Sequence, residues 1–136
     1  MTLMELLQSD AALREVMTEK NAAILEADML KSRGDLPGAI RQYRRAGELE
    51  YQIFRYLEDT GLPDAALINL ISAASCWYEA EELLAARRAA HEALERCGSN
   101  ERLAESCAQL LAKIERALSF SRAGEGMAPV PEPVKA

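Results

Sequence analysis

An all-α domain of antiparallel helical hairpins is the fold this sequence predicts, on three observations. Hydrophobic residues make up 49% of the 136 residues but aromatics only 5%, so the apolar content is mostly Ala and Leu, which favours helices over strands. No long stretch alternates with period two, whereas apolar residues recur at helical spacing along most of the chain. One spacing is also written twice. Ala27 is followed by Ala39, Tyr43 and Ala46, and Ala74 by Ala86, Ala90 and Ala93. Each copy runs small residue, twelve on to Ala, four on to a second residue, three on to Ala. That is the pattern of two helices touching through alanines.

In chain order, Leu3, Met4, Leu6 and Leu7 read as a short apolar helix over residues 2–8, with Ser9 or Asp10 able to cap the next helix. Such a helix is expected to dock on the core; a swapping or partner-binding arm is the alternative. From Asp10 to Arg33, Leu13, Val16, Met17, Ala23, Ile24, Ala27 and Leu30 make one broad stripe. Gly34 supplies a left-handed C-cap, Asp35 an N-cap, and Pro37 sits in the first turn of the helix after it. That helix runs from about Leu36 to Leu57, with Ile40, Tyr43, Ala46, Gly47, Ile53, Phe54 and Leu57 apolar and Glu50 interrupting the stripe.

Gly61 closes it and Pro63 opens the third long helix, which ends near Ala80. No Gly or Pro separates this helix from the next. A turn is placed at Glu79–Glu82 because the first copy turns at the matching point; one continuous helix is the alternative. The fourth long helix runs to Arg96, Gly98 stops it, and Ser99 or Asn100 caps a fifth. Leu103, Cys107, Leu110, Leu111, Ile114 and Leu118 form the cleanest stripe in the chain. Past Phe120 the chain turns rich in Gly and Pro, so the domain is assigned to residues 1–120 and a disordered tail to 121–136.

The doubled motif resembles the tetratricopeptide repeat, a helix-turn-helix unit of 34 residues. Leu70, Ala73, Ala74 and Trp77 match its first helix and Ala86, Ala90 and Ala93 its second; Ala23, Ala27, Leu30, Ala39, Tyr43 and Ala46 match in the first copy, and Glu26 does not. The copies lie 47 residues apart, so the extra residues around Ala46–Leu62 should lengthen the second helix by several turns. Ala104, Cys107, Ala108 and Leu111 match a third first helix. The resemblance implies a right-handed array of about two and a half repeats, five helices with a short N-terminal one. A generic five-helix bundle is the plainer reading.

Composition and motifs narrow the function. The formal charge of -6 disfavours a phosphate backbone as partner. No apolar run approaches a membrane span. Three cysteines, Cys76, Cys97 and Cys107, without a CxxC motif fit a reducing compartment, so a cytoplasmic location is expected. They read as small buried hydrophobes, with a Cys97–Cys107 pair left open. The single histidine, His91, lies between Arg87 and Glu95 at helical spacing, on a charged face. No Ser-His-Asp grouping, nucleophile elbow or phosphate-cradling loop is present, and neither an enzyme, a cofactor nor a metal is expected.

The resemblance implies a non-catalytic adaptor that binds a peptide or helix of another protein. A small acidic secretion-type chaperone and a self-assembling helical protein are the alternatives. Candidate partner-binding residues are the basic trio Arg41, Arg44 and Arg45, which share a helix face, together with Tyr78, Arg102 and Ser106. Trp77 and Tyr78 are adjacent and point to different faces; the repeat motif puts Trp77 inside and leaves Tyr78 as the aromatic anchor. The positions at which family members clamp a C-terminal carboxylate hold Ile24, Asp28 and Ser72 here, so a carboxylate clamp is not expected.

Overall fold

The computed structural model describes residues 1–127. They form six helices: α1 (Leu3–Ser9), α2 (Ala11–Ser32), α3 (Leu36–Asp59), α4 (Pro63–Glu79), α5 (Leu83–Arg96) and α6 (Glu101–Met127), with no strand among the described residues. Each helix packs on the next along the chain, and α6 also touches α4. Among the described residues no helix is long and apolar enough to cross a membrane.

The caps explain the boundaries. Thr2 and Glu5 form a reciprocal capping box at the start of α1. Asp10, not Ser9, caps α2 by accepting from the Leu13 amide at 2.9 Å, while the Ser9 hydroxyl donates back to the Glu5 and Leu6 carbonyls. Asp35 accepts from the Gly38 amide at 3.0 Å, and Asn100, not Ser99, accepts from the Leu103 amide at 3.1 Å.

Helices α2, α3 and α4 end in the same turn. Its two bonds are Asp35 N–H to Leu30 O and Gly34 N–H to Lys31 O, then Leu62 to Leu57 and Gly61 to Glu58, then Glu82 to Trp77 and Glu81 to Tyr78. This is the Schellman pattern, which needs a left-handed residue at its centre. Gly34 and Gly61 take it at φ 84° and 86°; the third is Glu81, at φ 61°. Helices α4 and α5 are therefore separate. The fifth long helix does not stop at Phe120: α6 continues to Met127. The remainder of the expected tail, 128–136, lies outside the described residues. Helix α3 is 24 residues long against 14 for α5, as the longer spacing between the copies required.

One large core and two small ones hold the helices together. The large core joins Leu6 of α1, Leu13 of α2, Ile53, Phe54 and Leu57 of α3, Leu70 and Ala74 of α4, Ala90 and Ala93 of α5, and Cys107 and Ile114 of α6. So α1 docks on the core. Two small clusters join the α2–α3 hairpin to the end of α4: Ala27, Ala39 and Tyr43 with Ala80, and beside it Ala23 and Ala46 with Cys76.

Between large core and small clusters lies a polar contact. Glu50 is 2% exposed. The Asn69 side chain donates to its Oε1 at 2.7 Å, and the Lys20 Nζ stands 3.8 Å from the same oxygen. Burial pushes the Glu50 carboxyl above its ordinary range, against the Asn69 hydrogen bond and the Lys20 charge. The residue that interrupts the α3 stripe is thus inside, not on the surface.

Candidate functional site

An apolar slot of about 210 Å³ opens between the first half of α2 and the second half of α3. Ala12, Leu13 and Val16 line it from α2, Ile53 and Tyr56 from α3, and Asp10 and Gln52 are its polar members. Its position reflects the width of the stripes. Leu13 and Ile53 belong to the large core, while Val16 is half-buried and Ala12 exposed, so the two stripes are wider than the helix contact and leave carbon facing water. Tyr56 is held across the slot by donating its hydroxyl to the Asp10 carboxylate. That bond lowers the Asp10 carboxyl and raises the Tyr56 phenol. A slot of this kind takes an aliphatic or aromatic side chain; it offers no nucleophile or base aimed at a shared point.

A second groove, of about 360 Å³, is floored by Tyr51 and Trp77 and edged by Ala85, Arg88, Ala89 and Glu92 of α5. Trp77 rests on Gly47: a Cβ there would stand 2.6 Å from its Cδ1 and Nε1. Tyr51 links Trp77 to Phe54, with ring centroids 5.6 and 5.3 Å apart. Arg96 lies over the Phe54 ring at 5.2 Å and pairs with Glu58 and Glu92.

The residues singled out from the sequence do not converge. Arg44 donates to Glu82 at 3.1 Å, at the start of α5, while Arg45 donates to Glu19 at 2.9 Å, on α2. They share a face by spacing but reach to different neighbours, one to the start of α5 and one to α2. Arg41 is exposed on the same helix. Arg102 and Ser106 are exposed one turn apart on α6. Tyr78 is not the outward member of its pair: Trp77 and Tyr78 are both half-buried and both pack against the large core. Tyr78 lines a separate hollow with Glu79, Glu81, Leu83, Ala117 and Ser121.

Two further polar pairs tie helices together. Tyr43 donates to Asp28, and burial, then that bond, raises its phenol. Lys31 spans to Glu79 at 3.0 Å, which raises its ammonium. His91 is exposed. No three His, Cys, Asp or Glu side chains among the described residues are placed to hold a metal ion.

The slot residues Leu13, Val16 and Ile53 are visible in the sequence only as core stripe. The signal that could have separated them is the doubled apolar edge of α2, Ala12 beside Leu13, opposite Tyr56. Comparison with protein-family models, curated proteins and solved structures finds no match for this chain.

Proposed function

We propose that this chain is a non-catalytic scaffold that binds a peptide or helix of another protein, and that its slot between α2 and α3 takes an apolar anchor residue of that partner. The observation that carries the reading is the slot itself. It is lined by Ala12, Leu13, Val16, Ile53 and Tyr56, and its aromatic wall is held in place by Asp10, so little side-chain freedom is lost on binding. We further propose a tetratricopeptide-like arrangement of the hairpins. Its support is the burial of the matched alanines, all at 2% exposure or less: Ala27, Ala39 and Ala46 in one hairpin, Ala74, Ala86, Ala90 and Ala93 in the other.

Self-assembly is the second reading, favoured by Met1 and Met4, 74% and 67% exposed on the segment that leads into the slot. One pair of measurements separates the two. Affinity capture from the source lysate is run with wild type, Val16→Glu and Arg41→Ala, each checked for folding by thermal melt. A stoichiometric partner that Val16→Glu loses and Arg41→Ala keeps is the expected result. A partner that Val16→Glu also keeps would sink the slot as its seat. A concentration-dependent dimer seen by light scattering and lost in Met4→Glu would establish self-assembly instead.

A further inference from the structure

Cys97 and Cys107 bring their sulfurs to 3.9 Å inside the large core, ten residues apart in the chain. Neither is in a disulfide. Cys97 is the C-cap residue of α5, its thiol donating to the Ala93 carbonyl at 3.2 Å. Cys107 lies inside α6 and is 1% exposed. Burial, with the neighbouring sulfur, pushes its thiol up to about 12. A disulfide sets its sulfurs about 2.0 Å apart, so side-chain rotation has about 2 Å to close, from opposite sides of one tight turn. Cys76, by contrast, sits with Ala23 and Ala46 in a small cluster away from both.

We propose that Cys97 and Cys107 are an oxidation site, a dithiol that closes to an intramolecular disulfide by exchange with a small disulfide of the glutathione class and staples α6 to α5. The Cys97 thiolate attacks one sulfur of the small disulfide; that S–S bond breaks and one small thiol leaves with a proton. The Cys107 thiolate then attacks the Cys97 sulfur, and the second small thiol leaves with the second proton. Two protein thiols are oxidised and one small disulfide is reduced to two thiols. Cys97 attacks first because it stands at a helix end, where the turn through Gly98 and Asn100 can open. Helix α6 is the last helix among the described residues and packs chiefly on α5, so opening there disturbs little else. This inference is independent of the slot and its partner.

The test treats the folded full chain with oxidised glutathione, alkylates the remaining thiols and maps the peptides by mass. The expected product has lost two hydrogens, carries a Cys97–Cys107 link with Cys76 alkylated, and retains no glutathione. Its melting midpoint rises by about 5–10 °C over the reduced chain. Cys107→Ala should hold a lasting glutathione adduct on Cys97, and Cys97→Ala should leave Cys107 unmodified. A lasting adduct on wild type, a link through Cys76, no reaction while the urea-unfolded chain reacts, or an oxidised chain that melts lower would each overturn the proposal.

Discussion

The two hairpins that share one alanine spacing end in turns with the same backbone bonds and different chemistry. In the α2–α3 turn Gly34 takes the left-handed position and the Asp35 side chain caps α3. In the α4–α5 turn Glu81 takes that position, and Glu82 makes no side-chain cap bond. Both turns border one small cluster, which joins Ala27, Ala39 and Tyr43 of the first hairpin to Ala80, the C-cap of α4. Both hairpins also reach the large core, the first through Leu13, Ile53, Phe54 and Leu57 and the second through Leu70, Ala74, Ala90 and Ala93. The comparison teaches that one such turn can be set by its own residues, Gly34 and Asp35, while packing of the helices that flank it holds the other with Glu81 in the left-handed position.

The largest effect is expected where α2 and α3 meet α4. Asn69→Ala leaves the buried Glu50 carboxylate without its closest donor and should cost about 2–3 kcal/mol, read by chemical denaturation. Glu50→Gln tests the same contact by pH. The folded carboxyl holds its proton more tightly than the unfolded one, so its contribution to stability is full below the ordinary carboxylate range and is lost as pH rises through the raised value. Wild type should therefore lose stability relative to Glu50→Gln as pH rises from about 4. Parallel pH curves for the two proteins would refute this.

Gly47→Ala comes next. Its methyl group meets Trp77 in the α3–α4 contact, and overpacking of this kind costs about 1–3 kcal/mol. Trp77 is the single tryptophan, so its fluorescence should shift in the folded variant.

The turns themselves carry the smaller effects. Asp35→Ala should cost about 1 kcal/mol through loss of the cap. Glu82→Ala should change stability by no more than about 0.5 kcal/mol, since only its exposed pair with Arg44 is lost. Equal effects in paired melts would erase the contrast between the hairpins. Glu81→Gly should stabilise by about 0.5–1 kcal/mol by relieving the left-handed backbone. Gly34→Ala should destabilise by a similar amount.

Helix boundaries were legible wherever a local residue makes them: Asp10, Gly34 with Asp35, Gly61 with Pro63, and Gly98 with Asn100. The α4–α5 turn was legible only through the first copy of the spacing, because Glu81 carries no turn signal of its own. The end of α6 was not legible, since Gly124 and Gly126 lower helix propensity without preventing a helix that continues to Met127. The candidate site was hardly legible. Arg44 and Arg45 are one face by spacing, yet Glu82 and Glu19 draw them to different helices. Trp77 and Tyr78 do not divide between core and surface; Gly47 gives Trp77 a seat that still leaves one edge in a groove.

By itself the sequence determined the all-helical class, the stripes and the alanine contacts. These depend on periodicity and on neighbours three or four residues apart, which any helix brings together. Only the tertiary structure decided that Glu50 is buried against Asn69 and Lys20, that Leu13, Val16 and Ile53 border an open slot, and that two of three cysteines touch. Those outcomes depend on where one helix crosses another. A shift of a single turn would exchange each of these partners while leaving the stripes unchanged.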